Sequence, residues 1–220
     1  MLSIILAFLL TNPQIYCYEK KGSNMIIKLP PFSTKGNISL EEAILKRRSI
    51  RSFKEDELSL NEISQILWSA QGITKKTDYI NLRSAPSAGA IYPITVFVVK
   101  KDGVFEYLPE EHSLKPITQK DIRAELSKAS LNQRFIEKAP LSLILCADYS
   151  KITKKYANRG IQYAHIEVGH IAQNINLQAV ALGLGSVCVG AFEDEKVSKV
   201  AFLPSSCRPI YIIPIGKPKQ

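Results

Sequence analysis

Between residues 39 and 218, apolar positions recur with two different periods, and the switches between them outline the elements. Ser39-Leu40-Glu41-Glu42 has the form of a capping box, with Ser39 as N-cap and Glu42 at the third helical position. Leu40, Ala43 and Ile44 share one face of the helix it opens. Ser59-Leu60-Asn61-Glu62 repeats the signal. That helix carries Leu60, Ile63, Ile66, Leu67 and Ala70 on one stripe and stops at Gly72. RSAPSAGAIYP, residues 83–93, is turn chemistry, small residues bounded by prolines. The period then shortens. ITVFVV (94–99) and VFEYL (104–108), joined through Lys101-Asp102-Gly103, predict a hairpin, and residues 119–137 read as helical. LSLILCA (141–147), SVCVGAF (186–192) and IYIIPIG (210–216) are strand-like. Residues 157–182 predict one long helix whose apolar positions, from Ile161 to Leu182, cover nearly its whole circumference. A helix apolar all round belongs in a core or at a subunit interface. The pattern is α+β, a mixed sheet with helices packed on it.

Composition narrows this picture. At 220 residues and 45% hydrophobic content the chain fits one packed domain, 39–218, preceded by an extended arm over 19–38. The N-terminal segment 1–18 contains an apolar run, Leu2 to Leu10, too short to span a bilayer. It fits the core of a signal peptide or a membrane-proximal segment, which implies export or membrane attachment; a mis-assigned start or a buried arm is the alternative, and leaves the chain cytoplasmic. The net charge of +9 permits a polyanionic partner, but the lysines are interleaved with Glu and Asp. No run or motif of nucleic-acid type accompanies them, so no nucleic-acid role is expected. Cys17, Cys146, Cys188 and Cys207 form no C-x-x-C pair, which leaves zinc and thioredoxin chemistry unsupported.

Several motifs yield to simpler readings. GLGSVC (183–188) follows a helix and enters a strand, the reverse of a dinucleotide fingerprint, so Gly183 and Gly185 read as helix-stop residues. EVGH (167–170) is a single Glu-x-x-His without the second pair a di-iron site needs, and no metal is expected; His170 reads as a buried, hydrogen-bonded histidine. No G-x-S-x-G elbow is present. The strongest chemical feature is RRSIRSF (47–53), where Arg47, Arg48 and Arg51 surround Ser49. Clustered guanidinium groups with a neutral hydroxyl suit a phosphate. If the chain is extended there, Arg47, Ser49 and Arg51 face one side while Ile50 and Phe53 anchor it. A solvated basic patch favoured by a helix C-terminus is the other reading of these residues.

RRSIRSF, APSAGAIYP, GLGSVCVGAF and PIGKP, in that order from about Ser39 to Pro218, resemble the flavin-dependent nitroreductase family. The likeness is to its SagB/ThcOx branch of azoline dehydrogenases. The resemblance implies a nitroreductase-like α+β fold, with a central, mainly antiparallel sheet flanked by helices, and a domain-exchanged homodimer with FMN at the interface. It implies that Arg47, Arg48 and Ser49 bind the FMN phosphate and ribityl chain, and that Lys217 completes the phosphate site. Arg51 would approach the N1/O2 edge of the ring. Ser87, Ala88 and Gly89 would come from the partner subunit, and Gln133 would contact the ring edge. Cys188, Gly190 and Ala191 would pass its other face, with a backbone N–H near N5/O4.

The chemistry so implied is hydride transfer at flavin N5. In one direction NAD(P)H reduces FMN, and a nitro compound or quinone reoxidises it. In the other a small organic or peptide azoline substrate gives up hydride, which needs a base; Lys155 and Tyr156 resemble the Lys-Tyr pair of azoline dehydrogenases. A lysine-rich solvated helix start is the plainer reading of those two residues. A non-catalytic FMN-binding or structural protein of the same fold is the alternative function.

Overall fold

The computed structural model describes residues 18–21 and 24–219. All but the last residue of the expected 1–18 segment, Cys17 included, therefore lies outside the described residues. The chain runs β1 (Tyr18–Lys21), β2 (Asn24–Lys28), α1 (Leu40–Lys46), α2 (Leu60–Gln71), β3 (Ile73–Lys76), β4 (Asn81–Arg83), a 3-10 turn at Ala88–Ala90, β5 (Ile94–Lys100), β6 (Gly103–Leu108) and β7 (Ser113–Thr118). It continues through α3 (Arg123–Ala129), α4 (Arg134–Lys138), β8 (Leu141–Ala147), α5 (Tyr149–Tyr156), α6 (Arg159–Ala181), β9 (Gly185–Ser186), α7 (Asp194–Val200) and β10 (Arg208–Gly216).

Eight strands form one sheet in the order β1-β2-β7-β6-β5-β8-β10-β9, and every neighbouring pair is antiparallel. The arm thus enters the domain as β2, paired to β7. Helices cover both faces of the central strands, which is why β8 is buried at every position and, Ser142 apart, apolar throughout rather than alternating. Leu141, Leu143 and Leu145 point into the layer shared with α2 and α6, together with Val96, Val98, Ile213 and Ile215. Ile144 and Cys146 point the other way, with Phe97, Val99 and Ile212, against α3, α4 and α7. Cys146 is fully buried and acts there as a small hydrophobe.

Both cap signals hold. Ser39 accepts the N–H of Glu42, and Ser59 with Glu62 forms a complete reciprocal box. Four expectations are corrected. The helix read over 119–137 is two helices, because Leu131 and Asn132 both adopt left-handed φ, 57° and 59°. The helix read from 157 begins at Arg159, since Ala157 (φ 47°) breaks it from a separate α5. The strand read over 186–192 shrinks to Gly185–Ser186 plus one bridge from Val189 to Ile212, because beyond Val189 the chain leaves the sheet. His170 is exposed, not buried.

Burial of the long helix is also incomplete in one chain. Ile161 and Ile166 of α6 stay exposed, as do Leu40 and Ile44 of α1, which packs against α6. Conversely Glu167 and Asn176, polar residues of α6, are buried.

His112 ties the arm to the core. Ser64 donates its O–H to the Pro30 carbonyl at 2.6 Å, so it accepts from His112 Nε2–H at 2.7 Å. Nδ1 is then left to accept the Tyr107 O–H at 2.9 Å. Burial, and secondarily the charge of Lys28, hold the His112 pKa below its ordinary 6.5 despite the Pro30 carbonyl. The unfolded chain therefore binds the extra proton, and the contribution of His112 is present above pH 6.5 and lost as pH falls towards its folded value. Urea midpoints of the wild type should fall across that window more than those of His112→Gln.

Gly185 gives a second expectation. A Cβ there would lie 2.7 Å from Ile50 Cβ and 2.8 Å from both Ile50 Cγ atoms, with no flexible end to move aside. Gly185→Ala should lower stability by about 1–3 kcal/mol in the same measurement, the usual overpacking cost.

Candidate functional site

The arginine segment takes its shape from its flanks. Helix α1 ends where Arg47 caps it, its N–H bonded to Ala43 O at 3.0 Å. The chain then turns extended and pairs at two places. Ser49 forms a parallel bridge to Ser186, reinforced by Ile50 N–H to Ser186 O at 3.0 Å. Phe53 bridges Pro218, with Lys54 N–H to Lys217 O and Lys219 N–H to Ser52 O, both 2.9 Å. Ile50 sits on Gly185, and Phe53 is buried. The anchoring roles read for these two apolar residues are therefore met.

The three guanidinium groups behave differently. Arg47 is half-buried and its charge acts on the Cys188 thiol, placing it at the 186–191 segment. Arg48 folds back, its Nη1 donating to Leu45 O at 2.9 Å and Arg47 O at 2.8 Å, where it neutralises the end of α1. Arg51 lies over the Phe135 ring, 6.0 Å from its centroid. Among the described residues none of the three forms an ion pair. Lys217 instead reaches Asp56 at 3.5 Å.

On the facing segment, Asn176 of α6 accepts the Ser186 hydroxyl at 2.8 Å and donates to Cys188 Sγ at 3.4 Å. Burial pushes the Cys188 thiol pKa up, opposed by Asn176 and Arg47. Gln133 donates to both Ser130 O and Ala191 O at 2.8 Å, which fixes the chain where it departs from the sheet. Gly190 and Ala191 are exposed, and among the described residues their backbone N–H groups have no acceptor. Arg47, Arg48, Ser49, Arg51, Gln133, Cys188, Gly190 and Ala191 therefore gather at one edge.

Ser87, Ala88 and Gly89 form a second group elsewhere. A Cβ on Gly89 (φ 61°) would lie 2.7 Å from Tyr156 Oη and 2.9 Å from Lys155 Nζ. Lys155 also lies 5.4 Å from the centroid of the Tyr156 ring. Lys155 is exposed, so the burial that would make it a base is not supplied by one chain. Among the described residues no hydrogen bond, ion pair or ring contact joins this group directly to the first. His165 meets the Tyr149 hydroxyl at 2.6 Å, and no group of three potential metal ligands occurs among the described residues. No described helix is long and apolar enough to cross a membrane.

Sequence reasoning missed Asn176, Phe135, and a buried set around Glu167 with Gln71 and Arg83. The available signal was that Glu167 and Asn176 are the polar residues falling on the stripe of α6 that carries Ala164, Val168, Ile171, Ala172, Ile175 and Ala179.

The chain as a whole is similar to known proteins. The model of the nitroreductase family matches residues 44–217. A protein of Methanocaldococcus jannaschii named as a nitroreductase is 40% identical over 202 residues, 89% of this chain and 98% of that one. The microcin B17-processing protein McbC of Escherichia coli is 27% identical over 195 residues, 82% of this chain and 71% of its own. A nitroreductase crystal structure from Ralstonia eutropha superposes with a TM-score of 0.77 at 27% identity, covering 89% of this chain and 90% of that one. Fold, motif order and these similarities agree with the resemblance read from the motifs: the chain belongs to the nitroreductase family and is an oxidoreductase of that family.

Proposed function

We propose that the chain is an FMN-dependent oxidoreductase, a homodimer in which hydride passes through flavin N5. The observation that carries this reading is the Ser49–Ser186 pairing, which sets three arginines, none with an acidic partner among the described residues, along the segment holding Gly190 and Ala191. Planar guanidinium donors and a hydroxyl fit a phosphate, and two open backbone N–H groups fit the polar edge of a flat heterocycle. FMN, when bound, supplies a two-electron carrier that accepts and returns hydride.

The chain's own groups then have separable tasks. Arg47 holds the phosphate with Ser49, while Arg48 adds its remaining N–H groups and secures the helix end. Lys217 is placed to contribute once it releases Asp56. Arg51, steadied on Phe135, offers a fixed cation where negative charge develops on reduction. Gln133 acts by holding Ala191 in place, and Cys188 fills the space behind the segment. Ser87, Ala88 and Gly89, with Lys155 and Tyr156, belong to the partner's site, so two chains complete each pocket. The exposed Leu40, Ile44, Leu45, Ile161 and Ile166 form the apolar surface such a dimer would bury.

Of the two directions, NAD(P)H-dependent reduction of nitro or quinone-type acceptors fits best, because it needs no buried base. Dehydrogenation of a small organic or peptide azoline substrate is the second reading. It is favoured by the convergence of Lys155 Nζ and Tyr156 Oη on Gly89 and by similarity to a microcin-processing protein.

The decisive measurement is the visible spectrum after addition of FMN, followed by anaerobic titration with NADH and NADPH. Bound flavin that bleaches with either nucleotide is expected. Absence of bound flavin overturns the whole reading, and flavin that neither nucleotide bleaches overturns the reductase direction. Arg47→Ala should weaken FMN binding by about 10–100-fold, the worth of a charge-assisted hydrogen bond; unchanged affinity would remove its phosphate role. Sedimentation should give a dimer, and Ile166→Asp should shift it towards the monomer.

A further inference from the structure

Three side chains from three elements meet beneath the loop of residues 84–92. Glu167 of α6 and Gln71 at the end of α2 are each 1% exposed. Arg83, which ends β4, donates from Nη1 to Gln71 Oε1 at 3.0 Å, and Gln71 Nε2 donates to Glu167 Oε1 at 3.3 Å. Glu167 Oε2 and Arg83 Nε are fully enclosed and have no hydrogen-bond partner among the described residues. Above them the loop closes on the same residues. Tyr92 N–H donates to Ser87 Oγ at 2.9 Å, and the Tyr92 hydroxyl accepts the Arg83 backbone N–H at 3.1 Å. The Arg83 guanidinium covers the Tyr92 ring at 4.5 Å, and Asn174 holds Ser84 O at 3.2 Å. The loop needs this support. Gly89, Ala90 and Tyr92 have φ of 61°, 51° and 52°, a region disfavoured for the two non-glycine residues.

We propose that Glu167 is a positioning residue for the 84–92 loop, seating it when protonated and loosening it when ionised. A carboxylate with one oxygen enclosed beneath the loop and unbonded is costly, and a proton on Oε2 removes the buried charge. Burial outweighs the favourable effects of Ser87, Gln71 and the Arg83 charge, and pushes the Glu167 pKa from 4.5 up to about 7. Arg83 is the one charged group acting on it, reaching from β4; α2 contributes the neutral Gln71 and the loop the neutral Ser87. The seated state therefore binds more protons than the unseated state. Seating is strongest below pH 4.5, weakens by up to about tenfold per pH unit as pH rises towards 7, and levels off above it.

The test reads the loop directly, in flavin-free full-length protein. Hydrogen exchange of the 84–92 amides, corrected for intrinsic rates, should lose tenfold or more protection between pH 5 and pH 7. The same amides in Glu167→Gln should show no such loss. Equal pH dependence in both proteins overturns the proposal. If Glu167→Gln does not fold, carbon-13 titration of the glutamate carboxyls in the wild type decides instead; a Glu167 midpoint at the ordinary carboxylate value overturns it. A second arm rests on the flavin reading above. FMN affinity should be similar in the two proteins at pH 5 and tighter in Glu167→Gln at pH 7.5, a comparison that cancels the ionisation of the FMN phosphate. Failure of both to bind FMN counts against the flavin reading, while the exchange result still decides the role of Glu167.

Discussion

The site depends on one parallel contact in a sheet whose other pairings are antiparallel, the bridge from Ser49 to Ser186. It is available because β9 has β10 on one side only, so its other edge can accept the chain leaving α1. Gly185 admits Ile50 at a distance no larger residue would allow, and the next residues put Phe53 beside Gly216 and Pro140. Ile50 and Phe53 fix the segment on either side of Arg51, which is left exposed, while Arg47 and Arg48 lie between Ile50 and the end of α1. Their placement follows from this packing, and among the described residues none of them has a carboxylate partner.

Much of the fold was legible because its signals are local. The Ser59–Glu62 box, the 94–108 hairpin and the run at 141–147 each contain their own cause. The failures share a different cause. Leu131 and Asn132 turn left-handed just before Gln133, whose amide reaches Ala191, a contact 58 residues away that no local window of sequence contains. The same holds for SVCVGAF, which has the composition of a strand and only the first part of its pairing. For the site, RRSIRSF read as either anion chemistry or a solvated basic patch, and nothing local foretold that Arg48 would bond helix carbonyls or that Arg51 would rest on Phe135.

Helix α6 shows how one element serves several demands. Its buried apolar positions fill the core, its exposed isoleucines extend the apolar surface of α1, and its two buried polar residues reach opposite destinations. Asn176 orders the segment beside the arginines; Glu167 lies beneath the strained loop. A rigid helix thus connects both candidate regions of one chain.

The contacts that shape the arginine segment join residues near the start of the domain to residues at its end, Phe53 to Pro218 above all. Such contacts demand the largest loop closures in the chain and form after local helices and hairpins are in place. This edge is therefore assembled only once β9 and β10 have joined the sheet. A phosphate-bearing molecule that grips both strands would bind only the finished fold, and its free energy would add to the stability of the whole domain. Starvation for such a molecule would then show first as shortened lifetime of the folded chain.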